Sequence, residues 1–188
     1  MSQHLKKYAY AANYCEENIW QLTTHPDIAS ILDECFVLFI SNLRRQCPIW
    51  NQRASLIHGD PVLWDYHVIL IHKTSTMSTV WDLDSLMGAP IPFEDWWLSS
   101  FPLLHAIPQE YHPLFRKITA NMYRDTFSSD RRHMRDQHNA WLMPPPPWPE
   151  ICRGPSPHNL PELIDMSIPS PGQVLDAEDT FLFFVSTP

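Results

Sequence analysis

Three kinds of side chain in this sequence can combine into an activated nucleophile: Cys15, His67, and one of the two acids Asp82 and Asp84. Asn13 followed by Glu16 makes a capping-box pattern, with Asn13 as N-cap of a helix from Tyr14 to about Leu22. Cys15 then sits in the first turn. There the aligned peptide dipoles favour negative charge, which lowers a thiol pKa and promotes the thiolate. Glu16 and Glu17 oppose this, so a cationic imidazole is needed nearby. His67 stands at the centre of the apolar stretch Val62 to His72, which reads as one strand. Asp65 and Ile69 share its face, while His72 faces the other way. A polar loop, Lys73 to Ser78, separates that strand from Thr79 to Asp84, giving an antiparallel hairpin. His67 opposes Asp82 if paired residue numbers sum to 149, and Asp84 if they sum to 151; the loop fits both. A helix-start thiol, a strand imidazole and a carboxylate one strand away form a nucleophile–base–orienter set. Each residue also has a plain reading: a small buried Cys, a satisfied core His, and acids beside a turn.

The elements that must hold these residues are partly readable. After α-helical Tyr14 to Leu22, His25-Pro26-Asp27 breaks the chain and starts a second short helix at Ile28 to Leu32. Cys35 to Ile40 is a continuous apolar run and reads as a central buried strand. Pro48 to Gln52 forms the next strand, with Pro48 at its first position. Glu94 to Ser100 reads as a helix, Phe115 to Thr119 as a strand, and Ala120 to Phe127 as a helix. From Trp141 onward proline dominates: 11 of the 19 prolines lie between Pro144 and Pro188. Pro144 to Pro147 must be extended polyproline II. Phe181 to Val185 is too apolar for water and is expected to pack on the core, with Asp176 to Asp179 ahead of it able to cap a helix. Residues 1–188 are therefore expected to form a single catalytic domain, with 141–188 a Pro-rich segment wrapping it.

Composition removes several function classes. The net charge is −8 and no Lys/Arg block occurs, so a nucleic-acid partner is not expected. No apolar run approaches ~18 residues, so no membrane span is expected. Neither a secretory leader at Met1 to Lys7 nor a lipid anchor at Ser186-Thr187-Pro188 is expected. Cysteines 15, 35, 47 and 152 form no CxxC pair, which points to reduced thiols in an intracellular protein rather than zinc or disulfides. His133, His138 and Cys152 make only a remote metal set. The 4 glycines leave no phosphate-cradling loop.

Tyr14-Cys15-Glu16-Glu17-Asn18-Ile19-Trp20, Trp64-Asp65-Tyr66-His67-Val68 and Asp82-Leu83-Asp84 resemble the motifs of the protein N-terminal glutamine amidohydrolase family, also described by its WDYHV motif. Phe39 to Asn42, Pro48 to Trp50, Ser129 to Arg131, His133-Met134 and Pro144 to Pro147 fit the same pattern, and Trp81 departs from it where Tyr is more usual. The resemblance implies an α+β fold, papain/transglutaminase-like, with a nucleophile helix packed on an antiparallel β-sheet. It implies deamidation of an N-terminal Gln to Glu through a thioester, on proteins or peptides with a free N-terminal Gln, with no cofactor and no metal. The product would feed the arginylation branch of the N-degron pathway. The catalytic positions it implies are Cys15, His67 and Asp82. Among Glu16, Glu17 and Asp65, which could meet the substrate ammonium, Glu17 and Asp65 are the expected selectors, with Trp64 and Tyr14 as further substrate-binding residues. A monomer located in the cytoplasm, and also the nucleus, is expected. Other readings are a cysteine protease or transglutaminase with the same three residues, or a non-catalytic module that offers its polyproline stretch to a partner.

Overall fold

A computed structural model describes residues 7–169 and 171–185. Met1 to Lys6 and Ser186 to Pro188, where neither a leader nor an anchor is expected, lie outside the described residues. Helix α1 (Cys15–Thr24) opens the fold and α2 (Pro26–Ala29) follows, its first turn capped by the His25 ring, which accepts from the Asp27 N–H at 3.2 Å. Strand β1 (Cys35–Ser41) is the apolar run, and β2 (Cys47–Ile49) and β3 (Val62–Trp64) pair with each other apart from the main sheet. Strands β4 (His67–Lys73) and β5 (Ser78–Trp81) form the hairpin. Next come β6 (Ile91–Pro92), α3 (Phe93–Ser100), β7 (Leu114–Thr119) and α4 (Ala120–Thr126). The last part holds β8 (Ser128–Ser129), β9 (Ile151–Cys152), α5 (Leu160–Ile164), β10 (Gln173–Leu175) and α6 (Ala177–Phe184).

The main sheet has the order β10-β7-β1-β4-β5-β6, and every pairing in it is antiparallel. The architecture is α+β. Strand side chains alternate between two covered faces, because successive residues point to opposite sides. On one face Val37, Phe39, Val68 and Leu70 pack with Ile19 and Leu22 of α1, Tyr123 of α4 and Leu163 of α5. On the other, Leu38, Ile40, Ile69 and Ile71 pack with Phe93 and Trp96 of α3 and Phe184 of α6. Burial on both faces explains why β1 and β4 read as unbroken apolar runs.

The Pro-rich segment is part of this framework. Strand β10 extends the sheet beyond β7. Gly172 (φ 73°) makes that approach possible, since any Cβ there would meet the Lys117 carbonyl and the Ile118 side chain. Arg116 on β7 is fully buried and donates to the backbone carbonyls of Leu163, Asp165, Ile168 and Pro171 at 2.5–2.9 Å. A buried guanidinium needs its donors satisfied, so these carbonyls fix the segment on the sheet. Phe181 to Phe184 form a helix, with Asp176 accepting from the Asp179 N–H at 2.8 Å. Among the described residues no helix is long and apolar enough to cross a membrane.

Two sequence expectations are corrected here. Val62 to His72 is not one strand: the ladder breaks at Asp65-Tyr66, β3 pairs with β2, and β4 joins the main sheet. His67 is therefore the first residue of its strand, not its centre. Asn13 is not the N-cap of α1. It takes a left-handed φ of 65°, the N-cap is Tyr14 without a side-chain bond, and Glu16 turns inward to other partners.

Candidate active site

Cys15 is the first residue of α1, and α1 packs on the β4 face of the sheet. Its thiol donates to Glu16 Oε2 at 3.7 Å, and Cys15 packs in the same cluster as Val68, the residue that follows His67. The helix that begins with the thiol thus packs against the strand that begins with the imidazole. By strand alternation His67 shares a side with Ile69 and Ile71, on the α3 face.

The imidazole is fully buried, and its Nε2 lies 2.9 Å from Asp82 Oδ1. A carboxylate only accepts, so Nε2 carries the proton and Nδ1 holds the lone pair. Nδ1 is buried with no hydrogen-bond partner among the described residues. The Trp64 indole stacks on the ring at 5.3 Å between centroids, with an interplanar angle of 20°. The other Asp82 oxygen, Oδ2, accepts from Gln52 Nε2 and Trp96 Nε1, each at 3.0 Å. Burial pushes the Asp82 carboxyl up, but His67 and these donors outweigh it and hold it below the usual range. Burial likewise pulls His67 down, and Asp82 more than reverses this, leaving the imidazole above its usual value.

The observed β4–β5 pairing sums to 151, the register that sets Asp84 opposite His67. Asp82 nevertheless makes the bond. Strand β5 ends at Trp81, so Asp82 begins a turn in which its Oδ1 also accepts the Asp84 N–H at 3.0 Å. Asp84 instead accepts from the Tyr10 hydroxyl at 2.6 Å, and burial raises its carboxyl pKa.

Cys15, Trp64, Asp65, Tyr66 and His133 line a cavity of about 430 Å³. A larger depression of about 1320 Å³, floored by Trp97, Phe101 and Phe181, contains none of Cys15, His67 and Asp82. Of these three, only Cys15 lines the smaller cavity; the buried His67 ring stacks against Trp64, which also lines it.

Residues 10–184 match the N-terminal glutamine amidase family. This chain belongs to that family. A human protein N-terminal glutamine amidohydrolase is 41% identical over 162 residues, covering 84% of this chain and 78% of its own length. Its counterpart from Bos taurus is also 41% identical over 162 residues, covering 84% and 77%. One from Drosophila melanogaster is 36% identical over 187 residues, covering 96% and 90%.

Set within the N-terminal glutamine amidase family, several expected site residues need revision. The Cys15 thiol is not lowered: burial first, then Glu16 and Asp84, push its pKa well above the usual value and outweigh the helix start and the Val68 contact. Glu17, an expected selector, does not face the cavity. It is fully buried, with Arg131 donating to both oxygens at 2.8 and 2.7 Å and Trp148 Nε1 donating at 2.7 Å. Tyr14 is also fully buried, its hydroxyl donating to the Met143 carbonyl at 3.3 Å; Met143, not Tyr14, reaches the cavity wall. Trp64 and Asp65 do line the cavity, and Asp65 Oδ1 accepts the Tyr66 N–H at 2.9 Å.

The partners of Asp82 were not readable beforehand. Gln52 is 30 residues away and Trp96 is 14 away. The only signal was general: a buried carboxylate needs donors beyond one imidazole. Glu16 is a second buried carboxylate, also held by distant residues. Its Oε2 accepts from the Tyr66 hydroxyl at 3.0 Å, and its Oε1 faces His133 Nε2 at 3.5 Å.

Proposed function

We propose that this chain hydrolyses the side-chain carboxamide of an N-terminal Gln to Glu and ammonia, with Cys15 as nucleophile, His67 as base and Asp82 as its orienter. The observation that carries the reading is the buried imidazole, fixed through Nε2 by Asp82 and left with an Nδ1 unpartnered among the described residues, on a strand against which the helix that begins with Cys15 packs. Membership of the family supplies the substrate. On this reading the α+β fold is of the papain/transglutaminase-like kind.

The raised thiol pKa decides how the reaction starts. Cys15 rests as a neutral thiol, so His67 Nδ1 takes the proton as sulfur attacks the carboxamide carbon. The carbonyl oxygen gains the negative charge. The Cys15 N–H, outside the helical ladder at the helix start, is one donor for it. Trp64 Nε1, buried on a residue of the cavity wall and without a partner among the described residues, is a second. His67 then returns the proton to the departing nitrogen, the C–N bond breaks and ammonia leaves. The acyl group remains on sulfur as a thioester. Water, deprotonated by Nδ1, attacks it; the C–S bond breaks and the thiolate regains the proton. Asp82 holds the tautomer and stabilises the imidazolium throughout. The Glu product presents the N-terminus that arginyl transfer would consume.

Ammonia assays on peptides beginning with Gln, Asn and N-acetyl-Gln test this reading. Gln is expected to turn over. The Asn carboxamide falls about 1 Å short, a loss of ~100-fold or more, and the acetylated peptide is expected to be inert. Cys15→Ala is expected to abolish release with the fold retained; continued turnover would refute the thiol route. Peptide cleavage, or cross-linking to an added primary amine in place of ammonia and Glu, would indicate a protease or transglutaminase instead.

A further inference from the structure

Glu16 is the residue after the nucleophile, its side chain has no exposed surface, and its two oxygens are unequal. Oε2 accepts from the Tyr66 hydroxyl at 3.0 Å and lies 3.7 Å from Cys15 Sγ. Oε1 has no hydrogen-bond partner among the described residues. His133 Nε2 faces it at 3.5 Å, longer than the ~2.7–2.9 Å of a charge-assisted bond, so a closer donor fits. A buried carboxylate oxygen without a donor is costly and calls for an explanation. Glu16 does not itself line the cavity, but Cys15, Tyr66 and His133, which contact this carboxylate, do.

We propose that Glu16 binds the α-ammonium of the substrate's first residue through Oε1, and that this contact selects free over blocked N-termini. The proposal rests on the deamidation reading and names its specificity group. In an N-terminal Gln, four bonds of about 1.5 Å separate the α-nitrogen from the carboxamide carbon, roughly 5 Å when extended. An ammonium about 2.8 Å from Oε1 can therefore bring that carbon within about 3–3.5 Å of sulfur, since the same carboxylate lies beside Sγ. The Asn side chain lacks one of those bonds and falls short. The competing acids are less suited. Glu17 has both oxygens engaged. Asp65 is exposed, where ion pairs contribute little.

The test compares a Gln-initiated peptide with its desamino analogue, which has the same carboxamide and no ammonium. Wild-type protein is expected to favour the free amine by about 10⁴-fold in kcat/KM, as a site built around a polar group does. Glu16→Gln keeps the side-chain size and an acceptor for Tyr66. It is expected to cut that preference to about 100-fold or less, chiefly through KM for the amine substrate. Asp65→Asn is expected to leave the preference near wild type. An unchanged preference in a folded Glu16→Gln protein, or a collapse in Asp65→Asn, overturns the assignment. If Glu16→Gln does not fold, Tyr66→Phe gives the second reading: it frees the carboxylate from its hydroxyl tether, and the preference is expected to fall, whereas no change overturns the proposal. Wild-type protein that releases no ammonia from the Gln peptide would refute the deamidation reading itself. Release with an unaltered preference in Glu16→Gln would refute the Glu16 assignment alone.

Discussion

The His67–Asp82 and Glu17–Arg131 pairs are both buried, yet they are built differently. Around Glu17 and Arg131 the accounts close: both carboxylate oxygens are bonded, Trp148 adds a third donor, and Arg131 also reaches the Trp148 and Pro149 carbonyls. This unit ties the first turn of α1 to the polyproline region. Within the His67–Asp82 pair every side-chain nitrogen and oxygen has a partner among the described residues except Nδ1. The pKa directions differ as well. Burial pushes the Glu17 carboxyl above its usual value despite Arg131, while Asp82 ends below its own. Ionised Glu17 is thus held at a cost, and its pair serves position rather than net stability. The His67–Asp82 pair keeps one valence open, which is what a base requires.

Substitution at each pair should separate rate from stability. The largest effect is expected from Asp82→Asn, about 10⁴-fold in kcat, by analogy with orienting carboxylates in other triads. The asparagine oxygen would satisfy Gln52 and Trp96, its NH₂ would face Nε2, and the imidazole proton would move to Nδ1 and block the base. Steady-state ammonia release would read this, with a smaller loss for Asp84→Asn; the reverse ranking would mean that the pairing to Asp82 is not the one used. Arg131→Ala is expected to act on folding instead, costing about 3–5 kcal/mol by leaving Glu17 unpaired. Denaturant titration measures that cost, and a loss confined to kcat would break the contrast.

The smallest effect lies in the pH dependence of stability. A depressed Asp82 contributes stability present above the unfolded value of about 3.9 and lost as pH falls through its folded value. A raised His67 contributes below its unfolded value of about 6.5, and that contribution is lost as pH rises through its folded value. Glu17, raised, acts in the opposite sense to Asp82: stability falls as pH rises from about 4.3 to its folded value. Melting curves from pH 3 to 8 should therefore show that Asp82→Asn and Glu17→Gln change the acid-side slope in opposite directions. Equal signs would remove the electrostatic distinction between the pairs.

Much of the framework was legible because local pattern and burial agreed. Strands β1 and β7 and helices α3 and α4 fall close to where their apolar runs and helix-forming stretches place them. The failures share a cause. The largely apolar run from Val62 to His72 continues across Asp65-Tyr66, so nothing local marks the change of sheet; only pairing with β2 on one side and β1 on the other does. Asn13 is a favourable cap by residue type, yet its left-handed backbone places it outside the helix.

The order of residues alone named a thiol, an imidazole and two acids, and their motifs named the family, because short-range spacing survives in one dimension. By spacing it left Asp82 and Asp84 open, and it expected Glu17 or Asp65 at the substrate ammonium and a lowered thiol. Those depended on where strand β5 stops, on an arginine 114 residues from its carboxylate, and on how little water reaches Cys15. Each is set by long-range packing, which fixes dielectric and donors at a point in space and has no counterpart in local sequence.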